Sequence, residues 1–271
     1  TNGIFPAHLI GASSTGVGAF LQNDAVTGFV AYSGATNTTL SGLAPTAIGN
    51  ISSPQTLTGI NRIYAFRTTA DVSGGTLNIG AIDNVISGGI LLNGSNTISS
   101  NLVFDPTSAT APGTGTPGEA LLYVKSGENA TVSGNITANA FTKFGAGSLT
   151  VSGSNAIMGD VSVQSGTLRL GGANVFSRMN SELNINQGAT LDLNGNSLSV
   201  ETVGANNRAV ATAAVGGTIT NSSSSAAIIA VQAPVNSTFD GVLSGNLKLQ
   251  KAGTGSLTIN GFSASTPDAG V

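Results

Sequence analysis

The chain is built from short segments in which apolar and polar residues alternate one by one. The clearest are S-L-T-V-S at 148–152, V-S-V at 161–163, L-R-L at 168–170 and L-D-L at 191–193. Gly, Asn or Ser bounds each segment, and a period of two is typical of a strand with one buried face. No stretch shows the apolar period of a helix. We therefore expect an all-β fold with almost no helix.

The segments also repeat along the chain. Residues 143–153 read K-F-G-A-G-S-L-T-V-S-G, and residues 251–261 read K-A-G-T-G-S-L-T-I-N-G. A second unit, S-G-T-L-x-aliphatic-Gly, occurs at 165–171 and, with one extra Gly, at 73–80. One-faced strands of this kind bury their apolar side only when successive coils stack. The sequence thus predicts a parallel β-helix, or β-solenoid, of about 13 coils if each takes roughly 20 residues.

The period of two also predicts which side chains form the core. Apolar residues make up 40% of the chain, while aromatic residues make up 5% and Trp is absent, so the core is expected to be aliphatic. We expect Leu149, Val151, Leu168, Leu170, Leu191, Leu193, Leu257 and Ile259 to point inward, and Thr150, Arg169, Asp192 and Thr258 to point outward.

The sequence from K-F-G-A-G-S-L-T-V-S-G through V-S-V-Q-S-G-T-L-R-L-G-G to G-A-T-L-D-L-N-G resembles the autotransporter-associated β-strand repeat. The likeness is good over 130–262 and extends back to residue 72. It implies a right-handed β-helix, extracellular or on the bacterial outer surface, with an adhesive or structural role. Because nothing here resembles the translocator of a complete autotransporter, we expect a processed passenger, a fragment or a free-standing repeat protein.

Two stretches interrupt the strand pattern. P-G-T-G-T-P-G at 112–118 and N-S-S-S-S at 221–225 are rich in turn residues, so both are expected to protrude as corner loops. Strand segments resume on either side of them, which argues against a domain boundary. We expect one β-helical domain over 1–271, with degenerate first coils or a cap at 1–70, repeat-like coils at 72–262 and a C-terminal tail at 263–271.

Charge and cysteine content exclude several classes of function. Charged residues are 8% of the chain and the formal net charge is −3. The basic residues form no cluster of the kind that binds nucleic-acid phosphates, and no apolar run reaches the roughly 18 residues of a membrane span. The absence of Cys excludes disulfides, thiolate metal sites and a Cys nucleophile. This composition favours a bacterial extracellular protein.

Candidate catalytic residues are few and scattered. His8 is the only histidine, so a Ser-His-Asp triad or a histidine metal site would have to use it. Acid catalysis on glycans uses paired carboxylates, whereas Asp160 and Asp192 would need partners from neighbouring coils. The Gly- and Asp-rich repeat of calcium-binding coils is absent. We expect no enzymatic activity, no catalytic or cofactor-binding residues, no metal and no cofactor.

Two recurrent residue types are open to more than one interpretation. Lys143 and Lys251 share a repeat position and are either ligand contacts or solvated cations beside glycine corners, of which we favour the second. Asn side chains at turns either bond along the solenoid axis or tolerate a left-handed backbone. The residues in question are Asn184, Asn186, Asn194, Asn196 and Asn260.

These observations favour an extracellular scaffold with a structural or adhesive role that associates with itself. A terminal coil leaves backbone groups unpaired along the axis, and only Pro267 and Asp268 could blunt that edge here. The expected partners are other copies or more of the same polypeptide, with cell-surface glycans or a host surface as candidate ligands. Two alternatives stay open: a subunit of an extracellular filament or sheath, and a β-helical carbohydrate-active enzyme with a cleft of stacked acidic and basic residues.

Overall fold

Every regular element is a β-strand in the computed structural model, which describes residues 10–80, 88–105, 117–173, 175–176, 182–204 and 216–262. Most strands pair in parallel and stack into a β-solenoid of about nine turns. The predicted all-β solenoid is therefore confirmed. Within these ranges no helix is long and apolar enough to cross a membrane.

The described strands form five sheets. An antiparallel N-terminal sheet contains β1 (Ile10–Ala12), β2 (Gly18–Asp24) and β3 (Gly28–Ala31). Sheet I is parallel and contains β4 (Ile48–Ile51), β7 (Ala65–Thr68), β10 (Gly89–Leu92), β13 (Glu119–Val124), β16 (Ala140–Phe144), β19 (Val161–Val163), β21 (Glu182–Ile185) and β24 (Thr202–Gly204).

The remaining three sheets are also parallel. Sheet II contains β5 (Gln55–Thr56), β8 (Val72–Ser73), β11 (Thr97–Ile98), β14 (Asn129–Val132), β17 (Ser148–Val151), β20 (Gly166–Leu170), β22 (Ala189–Asp192), β25 (Thr218–Asn221), β27 (Ser237–Gly245) and β29 (Leu257–Phe262). Sheet III contains β6 (Ile60–Ile63), β9 (Thr76–Ile79), β12 (Asn101–Phe104), β15 (Ile136–Ala138) and β18 (Ala156–Ile157). Sheet IV contains β23 (Leu198–Val200), β26 (Ala227–Val231) and β28 (Leu247–Lys251), each following a sheet II strand along the chain.

Coil length varies along the solenoid. The sheet I strands β16, β19, β21 and β24 begin at residues 140, 161, 182 and 202, which is close to the expected coil length. Earlier in the chain, β7, β10 and β13 begin at residues 65, 89 and 119, so those coils are longer. The prediction of about 13 coils was wrong because of these long coils and because residues 10–31 form a separate antiparallel sheet.

Alternate side chains face the interior, as the period of two predicts. In sheet II, Leu149 pairs with Leu168, and Leu168 with Leu191, and all three are fully buried. Thr150 and Arg169, each the next residue along its strand, point to the outer side and are half-buried. Each buried leucine contributes about 1.5–3 kcal/mol to folding. The inward positions of Val151, Leu170 and Leu193 are confirmed as well.

Three residues depart from the predicted pattern. Asp192 occupies an outward position but is only 7% exposed, because neighbouring coils surround it with polar groups. Leu257 and Ile259 pack against the main core yet stay partly exposed. They lie on β29, which is the last described strand of sheet II, so no described strand covers their other side.

The N-terminal sheet covers the outer face of the first sheet I strands. Leu91, Leu121 and Tyr123 point outward there, and Phe20 of β2 packs with them in a second, smaller core. Asn93 joins the two layers: its Oδ1 accepts from the Gly18 N–H and its Nδ2 donates to the Gly18 carbonyl, both at 2.9 Å. Because apolar residues occupy both sides of sheet I, this half of the molecule has two hydrophobic layers.

The N-terminal end of the solenoid is closed by residues that precede the first coil. Leu40 is fully buried in the main core. It lies beside Gly49 of β4, where an added Cβ would approach the Leu40 side chain to 3.3 Å. The segment between β3 and β4 thus places an apolar side chain over the first coil.

Candidate functional site

The outer face of sheet II presents two parallel columns of polar side chains. One column contains Asn129, Ser148, Thr167, Thr190 and Thr218 in register. The other contains Thr97, Thr131, Thr150, Arg169, Asp192, Thr220 and Ser244. Neighbours within a column are about 4.8 Å apart, and the two columns are separated by two residues along each strand, or about 6.6 Å. The face is therefore a regular array of mostly hydroxyl groups.

Contacts between successive coils hold these side chains in place. The Ser244 hydroxyl, for example, donates to Thr220 Oγ1 at 3.0 Å. Most members of the columns are half-buried, because each side chain contacts the next one along the axis. Stacking therefore orders the hydroxyls before any ligand arrives, which lowers the entropy lost on binding.

An ion pair interrupts the second column. Arg169 Nε lies 3.3 Å from Asp192 Oδ2, and Arg169 Nη2 donates to Asn194 Oδ1 at 2.6 Å. Asp192 Oδ1 accepts from the N–H groups of Asn194 at 2.9 Å and Ser222 at 3.0 Å, and Oδ2 accepts from the Ser222 hydroxyl at 2.7 Å. The groups bound to Asp192 are a cation, a hydroxyl and N–H groups. The carboxylate thus links neighbouring coils and has no acidic partner among these contacts.

Asp160, the other candidate acid, accepts a backbone hydrogen bond. Asp160 Oδ1 accepts from the Glu182 N–H at 3.1 Å, at the start of β21. His8 lies outside the described residues. Across the described ranges no group of three or more His, Cys, Asp or Glu side chains could hold a metal ion.

Lys143 was expected to be a solvated cation at a corner, and this prediction was wrong. Its side chain is fully buried on the inner side of sheet I, between Leu122 of one coil and Val163 of the next. The aliphatic stem passes through the core and carries the amine to the corner after β16. The signal was present in the sequence: Phe141 faces inward, and a period of two places Lys143 on the same side.

Three backbone carbonyls hold the Lys143 amine. Nζ donates to the carbonyl oxygens of Gly145 at 2.6 Å, Gly147 at 2.5 Å and Ser165 at 2.7 Å. Gly145 has a φ of 79°, a left-handed conformation that glycine adopts without strain. Burial lowers the pKa of Lys143 to about 7. Because Ser165 belongs to the following coil, the lysine cross-links successive coils.

Lys251 repeats only part of this arrangement. Its Nζ donates to the Gly253 carbonyl at 2.8 Å, but the side chain is exposed, as expected for a solvated corner cation. The two lysines also occupy different corners of the solenoid, since Lys143 lies on β16 of sheet I and Lys251 on β28 of sheet IV. β28 is the last strand of sheet IV that the structure describes, and no described coil beyond it supplies the carbonyl that Ser165 supplies for Lys143.

Asparagine side chains combine the two roles that the sequence left open. Asn194 has a φ of 49°, and its Nδ2 donates to the Leu170 carbonyl of the preceding coil at 3.0 Å. Asn196 Nδ2 donates to the same carbonyl at 3.2 Å. Asn184 differs, because it lies within β21 and is buried, with neither amide atom hydrogen-bonded within the described residues. Further axial bonds run from Asn186 to Gln164 and from Asn260 to Asp240.

Among known proteins, the chain is similar in sequence to an autotransporter. It is 31% identical over 226 residues to the adhesin BmaC autotransporter of Brucella suis biovar 1 (strain 1330). The match covers 76% of this chain but 6% of that protein, so the chain spans a small part of its relative's length. No protein-family model and no solved structure matches the chain. A distant relationship to an autotransporter adhesin is thus shown, whereas membership of the β-strand repeat family is not confirmed by a family model.

Proposed function

We propose that this chain is part of an extracellular β-solenoid passenger that contributes to adhesion at a bacterial outer surface. The relationship to an autotransporter adhesin supports the location and the class of function. The observation that carries the proposal is the pair of polar columns on the outer face of sheet II. A face that repeats the same groups at every coil can engage an extended ligand through many weak contacts, and such contacts add up to useful avidity.

The chemistry of this face suits a polar, extended ligand such as a glycan chain. Hydroxyl groups both donate and accept hydrogen bonds, as sugar hydroxyls do. The Arg169 side chain is 43% exposed and is paired with Asp192, so the face carries little net charge. We therefore expect adhesion to depend weakly on salt, because screening acts mainly on unpaired charges.

The same arrangement supports a role without catalysis. Asp192 is the acidic side chain of the sheet II columns, and its oxygens are engaged by a cation, a hydroxyl and N–H groups. A β-helical carbohydrate-active enzyme would need a second carboxylate beside it to act as an acid and base pair. The relative is itself named as an adhesin.

The test is binding of the purified chain to a glycan array and to cultured animal cells. A double variant, Thr150→Gln and Thr190→Gln, places longer side chains in both columns without changing charge. The matched control is Thr137→Gln on the outer side of sheet III, where the residue is also half-buried. We expect the double variant to lose binding and the control to keep it, with circular dichroism unchanged in both. Equal binding by the double variant and the wild type would show that the outer face of sheet II does not bind the ligand.

A second candidate function, association along the axis, is favoured by the difference between the two ends. Leu40 covers the first described coil, whereas Leu257 and Ile259 stay partly exposed on the last described coil. Lys251 also bonds one carbonyl where Lys143 bonds three. We propose that the C-terminal coil receives another solenoid coil, from a second copy or from more of the same polypeptide. An end-to-end filament of identical copies would require both ends to be open.

A further inference from the structure

A cavity of about 400 Å³ lies where the N-terminal sheet meets the first coils. It is large enough for one monosaccharide, since small-molecule sites begin near roughly 300 Å³. Val17 lines it from the N-terminal sheet side, Asn50 and Arg67 from the outer face of sheet I, and Thr69 and Lys125 from the ends of sheet I strands. None of these residues belongs to the polar columns of sheet II.

The cavity concentrates positive charge in a chain that is otherwise slightly acidic. Two of the seven Lys and Arg residues in the described ranges, Arg67 and Lys125, line it, and no acidic residue does. The chain as a whole has a formal net charge of −3. An anionic group is thus favoured here over the rest of the surface.

Arg67 is held in a fixed orientation. Its Nε donates to Asn50 Oδ1 at 2.8 Å, and the two residues are register partners in sheet I. This bond uses one edge of the guanidinium and leaves Nη1 and Nη2 without a hydrogen-bond partner among the described residues. Parallel N–H groups of a guanidinium match the two oxygens of a carboxylate.

Lys125 supplies a second positive charge, which Glu128 partly neutralises. Its Nζ lies 3.1 Å from Glu128 Oε1, and Ser95 donates to the other Glu128 oxygen at 2.8 Å. The pair is partly exposed, so it holds the lysine at the cavity edge without consuming all three of its N–H groups. Arg67 is therefore the main anchor for an anion.

The neutral part of the wall suits a sugar ring. Thr69 is exposed and offers a hydroxyl. Val17 is 39% exposed and offers an apolar surface. The amide of Asn93 is engaged on both sides by Gly18, which fixes the N-terminal sheet beside the cavity. The wall thus combines one polar and one apolar contact next to the charged groups.

We propose that this cavity binds the carboxylate of an acidic sugar, a uronic or sialic acid residue of a glycan. Arg67 forms two parallel hydrogen bonds to the carboxylate and Lys125 adds a second charge. Thr69 bonds a ring hydroxyl, and Val17 packs against the ring. A neutral sugar lacks the charged contact, and an inorganic anion lacks the ring contacts. The site is built from other residues than the sheet II face, so it does not depend on the adhesive role proposed for that face.

The experiment is a ¹H–¹⁵N NMR titration of the full chain with sodium glucuronate, N-acetylneuraminate, glucose and sodium sulfate. We expect the two sugar acids to cause saturable shifts at the amides of Thr69 and Lys125, and glucose to cause none. Arg67→Gln should weaken binding about tenfold or more, because charge-assisted hydrogen bonds are lost. Arg67→Lys should also weaken binding, because an ammonium group cannot form the parallel pair. Lys248→Gln, the same charge change at an exposed position of sheet IV, should bind like the wild type.

Three results would overturn the proposal. The first is an unchanged spectrum with both sugar acids at tens of millimolar. The second is undiminished binding by Arg67→Gln and Arg67→Lys, each shown to be folded by its own spectrum. The third is sulfate binding as tight as that of the sugar acids, because the cavity would then recognise charge without a sugar.

Discussion

The amine of Lys143 lies 2.5 Å from the carbonyl oxygen of Gly147, inside the solenoid. A buried ammonium group is costly unless hydrogen bonds replace its water. Here Gly145, Gly147 and Ser165 accept one bond each, which matches the three N–H groups of the protonated amine. A neutral amine has two N–H groups and would leave one of these contacts unmade.

Lys143→Met should destabilise the fold by about 2 kcal/mol, because buried carbonyls lose their donor while the stem volume is kept. Gly147 also accepts from the Thr167 N–H at 3.2 Å, so the carbonyls of Gly145 and Ser165 carry most of the cost. Urea unfolding measures the effect. Lys251→Met is the matched control and should change stability by less than about 0.5 kcal/mol, since it is exposed. A gain in stability in Lys143→Met would show that desolvation of the amine outweighs its hydrogen bonds.

Stability should rise with pH between 7 and 9. Burial lowers the pKa of Lys143 to about 7, whereas the unfolded chain keeps the ordinary value of 10.5. Over this window the unfolded state binds more protons than the folded state, so raising the pH favours folding by up to about 1.4 kcal/mol per pH unit. Burial raises the pKa of Tyr123, which has the opposite effect but only near pH 10. Urea midpoints at pH 7, 8 and 9 should rise in the wild type and stay level in Lys143→Met.

The sequence predicts strands and core well because their signal is local. The alternation around Leu149 and Leu168 decides which side chains face inward without any knowledge of distant residues. The N-terminal sheet gives no such signal, because its position depends on distant contacts such as the Tyr123 hydroxyl donating to the Gly16 carbonyl at 2.6 Å, 107 residues away.

The candidate sites were harder to predict for the same reason. Arg67 and Lys125 meet only after several coils stack. Lys143 differs, because its signal is local: lysine is usually exposed, but the register set by Phe141 places this side chain inside.

Leu191→Ala should cost about 2–5 kcal/mol, because the residue is fully buried between Leu168 and Ile219 and its neighbours cannot collapse into the space. Leu257→Ala, the same change in the last described sheet II strand, should cost clearly less because that side chain is already partly exposed. Urea unfolding of both variants makes the comparison. Similar losses would mean that Leu257 is as fully covered in solution as Leu191.

Asn93→Ala should loosen the N-terminal sheet while leaving the solenoid folded. The variant removes both hydrogen bonds between Asn93 and Gly18, which join the two layers. Hydrogen exchange should become faster in β2 and stay unchanged in β17. A second variant, Gly18→Ala, should act in the same way, because its Cβ would approach the Tyr123 ring to 2.7 Å. Unchanged exchange in β2 in both variants would show that Phe20 and its neighbours suffice to hold the sheet.

Association along the axis should stop at a dimer. The last described coil presents Leu257 and Ile259 partly exposed, together with an edge of β29 that no other described strand pairs. The opposite end is closed by Leu40. Copies that each have one open end can only pair those ends with each other, and such a pairing is closed by a two-fold axis.

Sedimentation velocity at increasing concentration should therefore show a monomer–dimer equilibrium. Leu257→Glu should abolish it, whereas Ile228→Glu, at an exposed position on β26, should not. Growth into long filaments would require an open N-terminal end. A monomer at every concentration would show that copies of the chain do not associate along the axis.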